Sequence, residues 1–220
     1  TENSICRRNG GRFAGIEKGR SMIRNIVFDM GNVLVQYNTD FYLRDYPENE
    51  KILLDRQIYR SVDWLRLDRG ELTEAELISK IKKRLPDTLL DDAERLIKWY
   101  EQSEPVDGME KLITDLHEYG YKIYLLSNTS LEFHKFREKI SALKYFDGEF
   151  ISADCGLLKP DERIYRIFCE HFSLTPSECM FIDDSPANIE SAAHVGLNGI
   201  VFYGDVALLR EQLIENHIII

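Results

Sequence analysis

The feature that most constrains this chain's fold is a repeated alternation of short apolar runs with longer helical patterns. The apolar runs occupy positions 26–28, 121–126, 146–152, 179–182 and 199–203. Between them, apolar residues recur at the three- and four-residue spacing of amphipathic helices. Strands that alternate with helices favour a parallel sheet with right-handed crossovers and helices on both faces. We therefore predict an α/β fold built on a doubly wound parallel sheet.

One stretch of helical patterns is far longer than a single crossover needs. Positions 37–104 carry no strand signal, the run over 46–67 has apolar residues at near-helical spacing, and residues 73–76 read Thr-Glu-Ala-Glu, a capping box. We predict an all-helical insertion over 37–104. The α/β core is then assembled from residues 22–36 and 105–220.

Composition and charge narrow the classes of partner. The chain has 220 residues, 44% apolar and 30% charged, which is enough for a globular core with a smaller insert. A formal net charge of −10 is opposite to the basic surface that nucleic-acid binding requires. No apolar run approaches the roughly 18 residues of a membrane span. We expect neither a nucleic-acid nor a membrane partner, and a monomer or a homodimer.

The N-terminal segment and the cysteines bear on the compartment. Residues 1–21 are basic and rich in glycine and asparagine, without the apolar centre of a secretory signal, so we predict a poorly structured extension. Cys6, Cys155, Cys169 and Cys179 show no metal-ligand spacing. We interpret them as reduced thiols in a cytoplasmic protein.

Polar residues that could take part in catalysis follow the strand-like runs. Asp29 comes directly after the run 26–28, and Gly31 allows the chain to bend away. Ligands of an open parallel sheet bind beyond the carboxyl ends of its strands, where Asp29 would stand. An isolated aspartate at such a place more often only caps a turn, so the other strand ends decide between the two interpretations.

The other strand ends carry a matching set of groups. Ser127 and Asn128 follow the second run, Lys159 precedes a proline ahead of a helical pattern, and Asp183 and Asp184 end the fourth run. Ser-Asn and either aspartate could simply cap a helix, and a loop lysine is usually solvated. Together, however, an acid, a hydroxyl donor, a lysine and paired acids form a set suited to phosphoryl transfer.

These four stretches resemble the four motifs of the haloacid dehalogenase superfamily, in the usual order and over roughly residues 22–205. The Phe-Asp-Met-Gly-Asn-Val-Leu form of the first motif is most similar to the branch of bacterial sugar-1-phosphate phosphatases that includes α-D-glucose-1-phosphate phosphatases. The resemblance implies a Rossmann-like core with strand order 5-4-1-2-3, a helical cap over 37–104, and Mg²⁺ as the cofactor.

The resemblance also implies roles for single residues. Asp29 would attack phosphorus and form an aspartyl phosphate, with Ser127 and Lys159 as further catalytic residues. Ser127, Asn128 and Lys159 would bind the phosphoryl oxygens of the substrate. The substrate would be a small phosphorylated metabolite.

The implied magnesium site draws on separate parts of the chain. Its ligands would be Asp29, the backbone carbonyl of Gly31, Asp184, and Asp183 either directly or through water. Two adjacent acids at a buried strand end are difficult to explain without a cation, because like charges repel at that distance.

Gly31 is a departure from the family pattern, which usually has a second acid at this position. That acid protonates the leaving oxygen and then activates water, and its loss costs about 10² to 10⁴ in rate when the leaving group is poor. The substitution therefore favours sugar 1-phosphates or other activated esters, or a slow enzyme.

Within the insertion, the resemblance singles out a loop before Gly70. Trp64, Arg66, Asp68 and Arg69 are candidates for substrate contacts, against the alternative of a core tryptophan and solvated charges.

Three functional hypotheses follow. The first is a Mg²⁺-dependent phosphatase acting through Asp29, with a hexose 1-phosphate as a candidate substrate. The second is a 2-haloacid dehalogenase, against which the pair Asp183 and Asp184 weighs. The third is a weakly active binding or regulatory protein, for which Gly31 is the main support.

Overall fold

The computed structural model describes residues 22–220, so the predicted extension 1–21, with Cys6, lies outside the described residues. The strands are β1 (Asn25–Phe28), β2 (Lys122–Ser127), β3 (Gly148–Ile151), β4 (Cys179–Asp183) and β5 (Asn198–Val201). The α-helices are α1 (Thr39–Leu43), α2 (Glu48–Gln57), α3 (Val62–Asp68), α4 (Glu74–Lys82), α5 (Leu90–Ile97), α6 (Met109–Glu118), α7 (Phe133–Phe136), α8 (Ser152–Cys155), α9 (Glu162–His171), α10 (Pro186–Val195) and α11 (Val206–Glu215).

The five strands form one parallel sheet in the order β3-β2-β1-β4-β5. This confirms the predicted doubly wound sheet and the strand order that the resemblance implied. Strand β1 is fully buried between its neighbours, and Phe28 is in register with Leu125 on one side and Ile182 on the other. The residues that follow these strands therefore emerge side by side at the carboxyl edge of the sheet.

Helices α1 to α5 lie between β1 and β2 and form a helical insertion. The chain leaves the core through a first connection, residues 29–38, and returns through a second, residues 98–108, and the two connections are hydrogen-bonded to each other. The amide of Gln36 donates to the carbonyl of Glu104 at 2.7 Å, and the amide of Val106 donates to the carbonyl of Leu34 at 2.9 Å. None of the helices within residues 22–220 combines the length and the apolar character that crossing a bilayer would need.

Inside the insertion, the predicted capping box is present, and the helical pattern over 46–67 is divided between two helices. The hydroxyl of Thr73 accepts from the amide of Glu76 at 3.2 Å, and the Glu76 carboxylate accepts from the amide of Thr73 at 2.8 Å. The pattern over 46–67, in contrast, forms two helices, because Ser61 caps a new helix by accepting from the amide of Trp64 at 3.2 Å. The break places Trp64 in the first turn of α3.

The insertion contacts the core closely where α3 ends. The Ser152 hydroxyl, at the start of α8, donates to the backbone carbonyl of Asp68 at 2.6 Å and accepts from the amide of Thr129 at 2.9 Å. Gly70 follows with a φ of 70°, and a Cβ atom there would lie 2.5 Å from the carbonyl oxygen of Ala153. Only glycine fits this approach without displacing backbone.

We expect Gly70→Ala to move the insertion away from the core. The left-handed conformation costs a non-glycine residue about 1–2 kcal/mol, and the overlap with the Ala153 carbonyl adds to it. Urea denaturation of the variant and the wild type would measure the decrease in the free energy of unfolding. Gly120→Ala is a matched control, since Gly120 also has a positive φ but no atom within 4 Å of the added Cβ. Equal losses for the two variants would contradict a close contact at Gly70.

Candidate active site

A buried lysine joins two carboxylates at the carboxyl edge of the sheet. Asp29 follows β1, and Asp183 ends the neighbouring strand β4. The ammonium group of Lys159 donates to Asp183 Oδ2 at 2.6 Å and to the carbonyl of Leu126 at 3.0 Å. It also forms an ion pair with Asp29, at 2.8 Å from Oδ1. The fold thus brings together three of the predicted site residues from distant parts of the chain.

The two adjacent acids at the end of β4, Asp183 and Asp184, occupy different environments. Asp183 is completely buried, and its Oδ1 accepts from the amide of Ser185 at 2.8 Å and from Asn188 Nδ2 at 2.9 Å. Protein donors therefore reach both of its oxygens, since Oδ2 binds Lys159. Asp184 is only partly buried and lines a cavity, and its Oδ2 accepts from Asn32 Nδ2 at 2.8 Å.

The three carboxylates form a donor set suited to a hard cation. Asp29, Asp183 and Asp184 each offer an oxygen, and these atoms lie within 4.8 Å of one another. Gly31 lines the same cavity as Asp29 and Asp184. Oxygen donors of this kind fit Mg²⁺, which takes few protein ligands and keeps several waters. Because the Asp183 oxygens already accept from protein donors, the residues fit best with Asp29 and Asp184 as direct ligands.

Burial dominates the ionisation of the site. It raises the pKa of Asp29 to about 6, an effect that Lys159 opposes and Asp183 reinforces. Burial alone would lower the pKa of Lys159, but the charges of Asp29 and Asp183 outweigh it and hold that pKa above its ordinary value. Burial also raises the pKa of Asp184. Excess negative charge in a desolvated place favours a bound cation, which would hold the carboxyl groups ionised.

The residues after β2 form one wall of the site. Ser127, the last residue of β2, is buried, and it lines the cavity together with Asn128. The side chain of Asn128 accepts from the amide of Lys159 at 2.8 Å and donates to its carbonyl at 2.9 Å. An asparagine amide has two N–H donors, so the bond to Lys159 uses only one of them. The first role of Asn128 in this structure is to position Lys159, which the sequence did not reveal because the two lie 31 residues apart.

A cavity of about 340 Å³ lies between these residues and the insertion. From the insertion and its connections, the cavity is lined by Tyr37, Trp64, Leu67, Asp68, Glu74, Ile97, Trp99 and Tyr100. On the side of the insertion, the cavity wall therefore consists of aromatic and aliphatic side chains with the carboxyl groups of Asp68 and Glu74 among them.

The structure separates the four candidates near Gly70 into two pairs. Trp64 and Asp68 line the cavity. Arg66 and Arg69 do not, and both approach the exposed Glu71, at 3.2 and 4.0 Å. Residues four apart share one face of a helix, so the spacing of Trp64 and Asp68 was the available signal.

Sequence reasoning missed the other lining residues, among them the aromatic and acidic side chains of Tyr37, Glu74, Trp99 and Tyr100. The rings of Tyr37 and Trp99 pack edge to face with centroids 4.8 Å apart, and the Tyr100 hydroxyl donates to Glu74 at 2.9 Å. Helical spacing at 99–100 predicts a buried core face, and that pattern cannot distinguish a core contact from a cavity wall.

Comparison with known proteins agrees with this geometry. A family model described as haloacid dehalogenase-like hydrolase matches residues 23–196. A D-ribitol-5-phosphate phosphatase of Bacteroides thetaiotaomicron is 28% identical over 192 residues, covering 80% of this chain and 89% of the relative. A flavin mononucleotide hydrolase of Arabidopsis thaliana is 25% identical over 148 residues, 67% of this chain, and the match spans 60% of that relative's length. A sesquiterpene phosphatase of Aspergillus oryzae is 26% identical, covering 84% of this chain and 92% of the relative.

Solved structures show the same fold. A HAD family enzyme from Bacteroides thetaiotaomicron, in complex with magnesium and inorganic phosphate, aligns with a TM-score of 0.67 and 25% identity over 85% of this chain and 98% of that one. A dehalogenase aligns with a TM-score of 0.63 and 22% identity over 86% of both chains. Because that identity is so low, the dehalogenase match shows a shared fold only.

Proposed function

We propose that this chain, which belongs to the haloacid dehalogenase-like hydrolases, is a Mg²⁺-dependent phosphatase acting on sugar or polyol phosphates through Asp29. The observation that carries the proposal is the cluster that Asp29, Lys159, Asp183 and Asp184 form beside a cavity. A metal site and a nucleophile beside one buried cation are the parts that phosphoryl transfer needs.

The proposed reaction begins with the attack of an Asp29 oxygen on phosphorus. The bond to the leaving oxygen breaks and an aspartyl phosphate forms, which water then hydrolyses to return the free carboxylate. Lys159 holds Asp29 in place through the 2.8 Å ion pair and balances the charge that the phosphoryl group brings. Bound magnesium, held by Asp29 and Asp184, would supply positive charge to the phosphoryl oxygens.

The walls of the cavity favour an uncharged leaving group with a ring and hydroxyl groups. Its aromatic faces, such as those of Trp64 and Trp99, suit the apolar face of a sugar ring, and the carboxyl group of Glu74 can accept from hydroxyls. Among the described residues of the insertion, no lysine or arginine lines the cavity. A second phosphate on the substrate would therefore meet negative charge, and a hexose 1-phosphate or a pentitol phosphate fits better.

A panel of phosphate esters assayed with and without Mg²⁺ tests the proposal. We expect phosphate release from sugar and polyol monophosphates, poor turnover of bisphosphates, and loss of activity in EDTA that added Mg²⁺ restores. If no ester of the panel is hydrolysed although calorimetry shows Mg²⁺ binding, the result would instead support the hypothesis of a weakly active binding or regulatory protein.

Halide release is the second measurement. A dehalogenase attacks carbon with the same aspartate and needs no metal, so it would tolerate EDTA. Chloride release from 2-chloropropionate that persists in EDTA would overturn the phosphatase proposal.

A further inference from the structure

The proposed reaction needs a proton donor that none of the residues clustered around Asp29 can supply. Expelling an alkoxide from a phosphate ester requires a proton on the leaving oxygen, and hydrolysis of the aspartyl phosphate requires a base for the attacking water. Asp29 is the nucleophile, Asp184 is the proposed metal ligand, and both oxygens of Asp183 accept from protein donors. Lys159 is held between Asp29 and Asp183, whose charges keep its pKa above the ordinary value, so it retains its proton. Gly31 has no side chain. The proton donor must therefore come from elsewhere in the cavity wall.

Four titratable side chains of the insertion and its two connections line the cavity, and three of them are poor candidates. Burial raises the pKa of Tyr37 well above its ordinary value, and burial together with the bond to Glu74 does the same for Tyr100, so neither gives up a proton near neutral pH. Glu74 accepts from the Tyr100 hydroxyl at 2.9 Å. The remaining group is Asp68.

The carboxyl group of Asp68 is uncommitted but its backbone is held in place. Within residues 22–220, no hydrogen bond or ion pair to this carboxyl group is formed. The Ser152 hydroxyl of the core fixes its backbone carbonyl at 2.6 Å, and Gly70 permits the close approach two residues later. The core therefore determines where the end of α3, and with it Asp68, stands above the site.

The charged surroundings of Asp68 leave its carboxyl group without a counter-ion. On its own helix Arg66 binds Glu71 at 3.2 Å, and on the following turn Arg69 lies 4.0 Å from the same residue. The groups that share the cavity with Asp68 are Tyr37 from the first connection, Glu74 from α4, Tyr100 from the second connection, and Asp29 and Asp184 from the core. None of these carries a positive charge.

We propose that Asp68, carried by the insertion, is the general acid and base of the reaction and takes the place of the acid missing at Gly31. This inference rests on the proposed phosphatase function. In the first step Asp29 bonds to phosphorus, the bond to the leaving oxygen breaks, and that oxygen takes the Asp68 proton and departs as an alcohol. In the second step water bonds to phosphorus and gives a proton to Asp68, while the bond to Asp29 breaks and phosphate leaves.

The ionisation of Asp68 suits both steps. Burial raises its pKa from 3.8 to about 7, so that the acid and its conjugate base are both populated near neutral pH. Catalysis of this kind contributes about 10² to 10⁴ in rate, in proportion to the basicity of the leaving group.

Asp68→Asn, assayed with two leaving groups, tests the assignment. For a sugar or polyol phosphate we expect leaving-group release to fall by about 10² to 10⁴, because the alkoxide is no longer protonated. Nitrophenolate leaves without a proton, so the variant should still release one equivalent of nitrophenolate rapidly from p-nitrophenyl phosphate. Turnover should then stop at the aspartyl phosphate, because the base that activates water is missing. In the wild type, single-turnover cleavage of the sugar phosphate should decline as the pH rises above about 7, and the variant should lose that decline.

Asp87→Asn is the matched control, since Asp87 is an exposed acid of the same insertion outside the cavity. An equal loss of rate with both leaving groups in Asp68→Asn, without a burst, would overturn the proposal and assign Asp68 to substrate binding. Unchanged cleavage of the sugar phosphate would overturn it as well. If the wild type hydrolyses no ester, or Asp29→Asn retains activity, the phosphatase function itself has failed.

Thermal unfolding gives a readout that is independent of activity. A carboxyl group whose pKa is raised on folding stabilises the protein below its unfolded pKa, and this contribution is lost as the pH rises through about 7. The stability of Asp68→Asn relative to the wild type should therefore increase between about pH 4 and pH 7. A constant difference would contradict a desolvated Asp68.

Discussion

Asp29→Asn is expected to abolish turnover of every phosphate ester that the wild type hydrolyses. An amide oxygen is a much weaker nucleophile than a carboxylate, and loss of a covalent nucleophile lowers kcat by roughly 10⁴ to 10⁶. The substitution preserves the shape of the side chain, and Lys159 keeps its bonds to Asp183 and to the carbonyl of Leu126. The variant should therefore fold and fail only in catalysis.

Two measurements distinguish a lost nucleophile from a damaged fold. Phosphate release should disappear in Asp29→Asn, while its thermal unfolding stays cooperative and near that of the wild type. Asp87→Asn provides the same chemical change at an exposed position and should retain turnover. Turnover of Asp29→Asn within tenfold of the wild-type rate, a change of about 1.4 kcal/mol in the barrier, would refute the assigned nucleophile.

Lys159→Met is expected to have the largest effect on stability. The wild-type ammonium group is 2% exposed and pairs with a side chain of Asp183 that is 0% exposed. Removing one partner of a buried ion pair typically costs about 3–5 kcal/mol, because the remaining charge stays buried without compensation. Here two carboxylates lose the same partner, so we expect a value at the upper end of that range together with loss of turnover.

Urea denaturation at neutral pH measures this effect directly. Lys83→Met is the control, because Lys83 is exposed and forms no ion pair with a described residue. It should change the free energy of unfolding by less than about 0.5 kcal/mol, as surface substitutions usually do. A Lys159→Met variant as stable as Lys83→Met would show that the buried lysine is not what compensates Asp29 and Asp183.

The fold was predictable because its signals are local. Each strand of the sheet is a short apolar run, and each crossover is a helical pattern of ordinary length, so the sequence of elements identifies the layers. The boundaries were less predictable. A continuous apolar pattern over 46–67 gave no sign of the break between α2 and α3, because Ser61 is an unremarkable residue whose capping hydrogen bond forms only when the chain turns there.

The candidate site was predictable in part, because the position of a residue at the end of a strand is also a local signal. Asp29, Ser127 and Asp183 each end or follow a strand, and parallel strands bring their carboxyl ends to one edge. The family resemblance favoured Asp184 as the direct metal ligand, but the residue pattern itself did not distinguish Asp183 from Asp184. One faces Lys159 and the other faces the cavity, because successive residues at a strand end point to opposite sides.

The α/β fold, the helices between its first two strands and the residues at the edge of the sheet could be inferred from the sequence, since periodicity and position along a strand are properties of neighbouring residues. Which of these residues contact one another is seen only in the tertiary structure. The bond between Asn128 and Lys159, the saturation of Asp183, and the placement of Asp68 above the site join elements that are distant along the chain. Such contacts depend on how the insertion packs on the core, and packing is set by the shapes of both surfaces together.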